Sequence, residues 1–238
     1  MLVLEDVSKA FGGLMAVNGV SFSMEEGEIV GLIGPNGAGK TTLFNLISGY
    51  ERPSGGRIKF QGQNIGGTSP NQLAAMGIGR TFQIVKPFAG LTARENILVA
   101  CYLRHPRQKD AKRKAEEVLE FTGLADRAHL QAAGLTLAGR KRLEIGKALA
   151  LEPQLLLLDE VVAGLNPTEA TKTVNLIMEI NRRGITVLIV EHIMRVIMSI
   201  SHRVLVLNYG QMIASGGPQE VAQDPQVIEA YLGEAQEE

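Results

Sequence analysis

The sequence predicts an α/β protein whose mostly parallel sheet is interrupted by an inserted helical block at residues 84–150. Three observations carry this. A continuous apolar run at 29–33 leads through a glycine-rich turn into a helical pattern. Strand–helix alternation returns after Pro153. Between the two, long segments carry helical rather than strand spacing.

The elements follow in order. Residues 2–7 and 20–24 pattern as half-buried strands, with Phe22 and Met24 on one face. The run 29–33 is apolar throughout, as in a central strand covered on both sides. A helix is predicted from Lys40 to Ser48, stopped by Gly49. A strand at 58–60 follows the turn-rich Pro53-Ser54-Gly55-Gly56. In the middle, 93–103, 108–122 and 140–151 carry helical spacing, with Ala111, Ala115, Val118 and Leu119 sharing a face. Strands at 155–159, 186–190 and 204–207 then alternate with helices near 168–182 and 193–199. Asn208-Tyr209-Gly210 turns the last strand into 211–215 as a hairpin, and a short helix is expected at 225–232 before a polar end.

At 238 residues the chain is long enough to bury a sizeable core. Its 45 % hydrophobic and 21 % charged residues are those of a globular protein, which excludes a disordered one. A formal net charge of -1 supplies no global basic field, so no nucleic-acid partner is expected. The densest basic run, 109–114, reads as a solvated helix face. The single Cys101 suits a reducing compartment. The start lacks the basic and apolar regions of a signal peptide, and no apolar run approaches the roughly 20 residues of a membrane span. If the protein works at a membrane, a partner must take it there.

Gly34-Pro35-Asn36-Gly37-Ala38-Gly39-Lys40-Thr41 matches G-x-x-x-x-G-K-[ST] in full, and Thr42 follows. Glycines let the backbone curl so that its N–H groups face phosphate oxygens, and the helix behind adds a positive end. Lys40 is placed for β- and γ-phosphates, and the Thr41 hydroxyl for Mg²⁺. A chance match in a chain this long is on the order of one per cent, and the strand-before, helix-after context is also present. The apolar run 155–158 ends in Asp159 and Glu160. Two carboxylates at the end of a buried strand are costly unless a cation or a reaction uses them. Asp159 would hold Mg²⁺ through water and Glu160 would polarise an attacking water.

With these motifs the chain resembles the ATP-binding-cassette ATPases over essentially its whole length. The resemblance implies a P-loop NTPase (RecA-like) core formed by 1–83 and 151–238, an antiparallel β subdomain, and a helical subdomain at 84–150. The whole chain, 1–238, would then be one nucleotide-binding domain. Thr81-Phe82-Gln83 resembles the family's Q-loop, whose glutamine touches Mg²⁺ and senses the membrane partner. Val190-Glu191-His192 resembles its switch histidine, while His105, His129 and His202 read as structural. Phe11 matches the adenine-stacking aromatic, although its position alone reads equally well as core. Where the family has Leu-Ser-Gly-Gly-Gln, this chain has Leu135-Thr136-Leu137-Ala138-Gly139. By resemblance, Thr136, Leu137, Ala138 and Gly139 face the nucleotide of an opposed chain from the start of the 140–151 helix. Thr136 keeps a hydroxyl there, and the other three keep their N–H groups.

Asn166-Pro167-Thr168-Glu169, Glu191-His192-Ile193-Met194 and the segment 224–233 resemble the cassettes of branched-chain amino acid importers. Amide and urea importers share much of this pattern. The resemblance implies ATP and Mg²⁺ as cofactors and transmembrane permease subunits as partners. It also implies a second cassette, identical or similar, an indirectly coupled periplasmic or extracellular binding protein, and a place at the cytoplasmic face of the membrane. A soluble cassette acting on DNA or ribosomes would usually carry tandem cassettes or long coiled-coil insertions, and this chain has neither. A regulator that binds ATP without turnover is disfavoured by the intact Glu160 and His192. The apolar stretch Ile84-Val85-Lys86-Pro87-Phe88 needs cover, from a helix of a membrane subunit or from the protein's own core.

Overall fold

Apolar alternation and apolar continuity produce two kinds of strand in this chain. The computed structural model describes residues 1–234, so the polar end at 235–238 lies outside the described residues. The elements in order are β1 (Leu2–Phe11), β2 (Leu14–Met24), β3 (Ile29–Ile33), α1 (Lys40–Ile47), β4 (Gly55–Phe60), β5 (Gln63–Asn64), α2 (Pro70–Met76) and β6 (Ile78–Arg80). Then come α3 (Ala93–Cys101), α4 (Gln108–Phe121), α5 (Leu137–Leu149), β7 (Leu155–Asp159), α6 (Pro167–Arg182) and β8 (Thr186–Val190). The last are α7 (Met194–Ile200), β9 (Arg203–Asn208), β10 (Gln211–Gly216), α8 (Pro218–Gln223) and α9 (Pro225–Glu234). The described residues form two compact units, one of Met1–Leu73 with those from Thr186 onward, the other of Ala74–Ile185.

In the first unit an antiparallel sheet runs β2-β1-β4-β5. β1 and β2 are longer than their periodicity predicts. Phe11 pairs with Leu14 across the two-residue turn Gly12-Gly13, a hairpin connection in which Gly12 takes φ 58°. Register shifts between Leu4 and Ala10 break the alternation, which hides the outer half of each strand from a period-two reading. The second layer places β3 between β8 and β9, parallel to both, with β10 antiparallel on β9. All five residues of β3 and of β8 are buried, the pattern of strands covered on both faces. Leu43, Phe44, Leu46 and Ile47 give α1 its buried face. Each such side chain contributes about 1.5–3 kcal/mol of burial, so the start of α1 is held firmly.

The second unit contains the helices α3, α4 and α5, which fall inside 84–150, and also β6, β7 and α6. β6 pairs with β7 in parallel, Ile78 opposite Leu155 and Arg80 opposite Leu157. α3 begins with a full capping box, the Thr92 hydroxyl accepting from Glu95 N–H and the Glu95 carboxylate accepting from Thr92 N–H. α4 buries Ala111, Ala115, Val118 and Leu119, the face its spacing predicts. α6 is capped by Asn166 with Pro167 in its first turn.

One boundary moves and two short elements are added. α5 begins at Leu137 and not at Arg140, because the Thr136 side chain accepts from Gly139 N–H and starts the helix a turn early. α2 and β6 have no counterpart in the periodicity, being too short to show any.

Candidate functional site

Each unit carries its own set of the residues singled out above. In the first unit, β3 runs its buried apolar side chains to Ile33, and residues 34–39 lead straight into α1. Gly34, Gly37 and Gly39 take φ 151°, 75° and 101°, conformations that L side chains rarely adopt. Two of these positions also exclude a side chain by contact. A Cβ on Gly34 would lie 2.1 Å from the Leu207 carbonyl oxygen, and one on Gly39 2.4 Å from that of Ala16. Behind the loop, Gly210 N–H donates to Ala38 O at 3.0 Å and Asn18 N–H to Gly210 O at 2.8 Å. The loop is therefore braced by the β9–β10 turn and by β2.

Lys40 is buried at 7 % exposure, and its Nζ donates to Gly34 O at 2.6 Å and Pro35 O at 2.7 Å. The ammonium thus lies over the loop that its own helix follows. Gly39 caps α1 without a side chain, so the first-turn N–H groups of α1 keep the donor character that binds anions. Pro35 and Ala38 are buried, Asn36, Gly37 and Thr41 are exposed, and Thr42 is half-buried. His192 is exposed and lies two residues beyond Val190, which pairs with Leu32. The histidine and the loop therefore leave neighbouring parallel strands at the same end, where ligands of such sheets bind. Phe11 is 45 % exposed, with Lys9 Nζ 4.7 Å from its ring centroid. The core reading of Phe11 is thereby excluded.

In the second unit, β7 is buried throughout and ends in Asp159, 5 % exposed. A carboxylate that deep needs partners. Its Oδ2 lies 3.4 Å from Arg80 Nη2, and its N–H donates to Thr81 Oγ1 at 3.0 Å. The next residue, Glu160, turns the chain with φ 49°, a left-handed conformation in a non-glycine residue. Gln83 Nε2 donates to Glu160 Oε2 at 2.9 Å, as expected of segments leaving the paired strands β6 and β7 together. Lys141 Nζ donates to Glu160 O at 2.5 Å. Arg80 and Lys141 were not among the sequence candidates. The signal available was a basic residue beside each motif, Arg80 just before Thr81-Phe82-Gln83 and Lys141 just after Gly139.

Thr136 and Leu137 are exposed at the start of α5, whereas Ala138 is 1 % exposed and Gly139 is buried. The Gly139 N–H is taken by the Thr136 cap at 3.2 Å, so it is not left for a ligand as the sequence suggested. Phe88 is 53 % exposed, its backbone N–H donating to Asn96 Oδ1 and its ring 5.6 Å from Lys147 Nζ. It is not internal core.

The donors present fit a magnesium–nucleotide. A glycine-shaped loop, an ammonium and a bare helix start suit a polyphosphate. In the first unit the Thr41 hydroxyl, and in the second the Gln83 amide oxygen and the Asp159 carboxylate, are each hard oxygen donors of the kind Mg²⁺ takes. Among the described residues there is no cluster of three or more His, Cys, Asp and Glu.

Residues 17–163 match the ABC transporter family, and residues 211–237 match the branched-chain amino acid ATP-binding cassette transporter family. The chain is 42 % identical to the high-affinity branched-chain amino acid transport ATP-binding protein LivG of Salmonella typhimurium, over 99 % of this chain and 98 % of that one. The crystal structure of an ABC transporter cassette in its ADP conformation superposes with a TM-score of 0.89 at 33 % identity, covering 98 % of each chain. A dimeric cassette in a post-hydrolysis state with ADP and phosphate gives 0.83 at 25 % identity, covering 92 % of this chain and 99 % of that one. The chain belongs to the ABC transporter family and is its ATP-binding, ATP-hydrolysing subunit. The predicted P-loop core with antiparallel and helical parts is the fold of these cassettes.

Proposed function

We propose that this cassette hydrolyses MgATP to power uptake of branched-chain amino acids, working at the cytoplasmic face of a membrane through permease subunits that it does not itself contain. The loop around Gly34, Gly39 and Lys40 supports the nucleotide part of this reading, since its glycines hold a left-handed curl that leaves no room for side chains and the lysine ammonium lies over it. The substrate part is supported by the LivG relative and by the match at 211–237. No helix among the described residues is long and apolar enough to cross a membrane, so membrane attachment falls to partners. A second cassette, the same or similar, completes the unit, and a periplasmic or extracellular binding protein delivers substrate to the permease.

The whole chain, 1–238, acts as one nucleotide-binding domain, with 84–150 as its helical subdomain. Phe11 stacks on the adenine. Gly34, Pro35, Asn36, Gly37, Ala38, Gly39, Lys40, Thr41 and Thr42 hold the phosphates. Thr41, Asp159 and Gln83 bind Mg²⁺, which neutralises charge on the β- and γ-phosphates when bound. Glu160 orients and polarises the attacking water, and His192 meets the γ-phosphate. Thr136, Leu137, Ala138 and Gly139 supply the start of α5 to the nucleotide of the opposed chain, the exposed Thr136 and Leu137 making the direct contact. Water activation is a transition-state role, whereas phosphate and cation contacts exist in the ground state.

Glu160→Gln should therefore keep ATP binding and lose hydrolysis by about 10² or more, read by nucleotide titration and phosphate release. Near-normal turnover would move the base elsewhere. Reconstitution with the permease and binding-protein frames neighbouring this one tests the substrate. Leucine, isoleucine and valine uptake is expected, and uptake of urea or short amides instead would overturn that part.

A further inference from the structure

We propose that Lys141 is a positioning residue that locks Glu160 to the first turn of α5, so that the segment offered to the opposed chain's nucleotide and the carboxylate serving this chain's own move as one piece. The inference rests on the roles given above to Glu160 and to residues 136–139.

The geometry is compact and lies within one unit. Lys141 is the fifth residue of α5, is 6 % exposed, and places Nζ 2.5 Å from the Glu160 carbonyl oxygen. A buried ammonium is costly unless it is hydrogen-bonded, so its position is narrowly determined by the acceptor it reaches. That acceptor belongs to a residue in an uncommon backbone state, φ 49° without being glycine. Such conformations persist only where surroundings over-determine them. Here the bond from Lys141 fixes the peptide after Glu160, and the bond from Gln83 fixes the carboxylate. The following residues are anchored too, since Val161 and Val162 are buried. Leu137, in the exposed first turn of α5, lies against Gly164, where a Cβ would come within 3.2 Å of the Leu137 Cδ2. Two contacts thus join one helical turn to the 160–164 loop. A shift of α5 on meeting a partner's nucleotide must displace the Glu160 peptide or break a part-buried charge-assisted bond. Packed side chains and hydrogen bonds that join two elements in this way are the physical means by which coupling travels between sites.

Lys141→Met keeps the length and loses the donor, and Lys141→Arg keeps a donor. In nucleotide-free protein, hydrogen–deuterium exchange of amides 160–165 should quicken about tenfold in Lys141→Met, with α3 and α4 unchanged as the folding control and Lys141→Arg recovering most of the protection. Unchanged exchange overturns the proposal. Mixed dimers then test the coupling. In one arrangement Lys141→Met and Glu160→Gln share a chain, so the surviving carboxylate belongs to an intact chain that faces an altered α5. In the other they lie on opposite chains. Against a dimer carrying Glu160→Gln alone, ATP turnover should fall about tenfold in both. A fall only when they lie on opposite chains limits Lys141 to its own Glu160 and overturns the coupling. If the Glu160→Gln homodimer itself turns over ATP, the role given to Glu160 fails instead, and exchange alone still decides the clamp.

Discussion

Lys40 is held by two carbonyls of the loop that precedes its helix, at 2.6 and 2.7 Å. A charge-assisted bond of this type is worth about 1.5–3 kcal/mol, so Lys40→Ala should weaken ATP binding by about 10- to 100-fold and abolish turnover without altering the far-UV spectrum. Unchanged affinity in a titration of the folded variant would falsify the assignment. Cys101 shows the opposite economy, a reactive group made inert. Burial raises its pKa from an ordinary 9.0 to about 11, with the Lys114 ammonium opposing. The thiol should resist iodoacetamide at pH 8 and react once urea unfolds the chain. The sign for stability follows from linkage. Below about 9 both states hold the proton and the contribution is intact. Between about 9 and 11 the unfolded chain ionises while the folded one does not, so stability falls as pH rises through that window. Cys101→Ala should lack this component, and urea midpoints at both ends of the window compare the two.

At the scale of elements, α5 and the strand pair β6–β7 organise the chemistry of their unit. The parallel register sets Arg80 opposite Leu157, which brings Asp159 and Glu160 beside the segment after β6. The start of α5 turns Thr136 and Leu137 outward and Ala138 inward, so charge introduced at Leu137 tests the surface while charge at Ala138 would only disturb packing. The apolar stretch before α3 belongs to this scale too. Ile84 is 69 % and Phe88 53 % exposed, a concentration of apolar surface that the unit leaves uncovered. A helix of a permease subunit anchored on a few such side chains would cover it. Phe88→Ser should cut uptake by the assembled transporter about tenfold or more, while the isolated subunit keeps its ATPase activity and melting temperature. A variant that unfolds, or a transporter that runs normally, removes Phe88 from the coupling surface.

For the whole molecule, the division of labour between units has a consequence in the dimer. Lys40 belongs to the first unit and Leu137 to the second. If composite sites form in trans, Lys40→Ala and Leu137→Asp damage opposite halves. Leu137→Asp should still bind ATP through residues 34–42, but a carboxylate facing a partner's polyphosphate is repelled, so it should neither dimerise with MgATP nor hydrolyse it. Mixing the two inactive variants leaves one site with both halves damaged and one with both intact. Partial ATPase activity should return, and gel filtration should show the mixed dimer. Silence in the mixture, with each variant folded, would place residues 136–139 away from the nucleotide.

The phosphate loop was legible in the sequence because its chemistry is local. Eight contiguous residues specify their own left-handed turns, their own donors and the helix behind them. The buried strand ending in Asp159 and Glu160 was legible for a similar reason, since apolar continuity followed by carboxylates needs no distant partner to be noticed. What holds those carboxylates was not. Arg80 lies 79 residues from Asp159, and Lys141 lies 19 from Glu160, so only the β6–β7 register and the packing of α5 chose them among the chain's many basic side chains. Exposure was likewise a tertiary decision. Periodicity leaves Phe11 and Phe88 as apolar residues near a turn, and it is what packs beside them that turned both outward and Ala138 inward. The candidate residues are thus written locally along the chain. Their posture depends on long-range pairing, because a hydrogen bond between distant segments exists only once the strands and helices that carry them are in register.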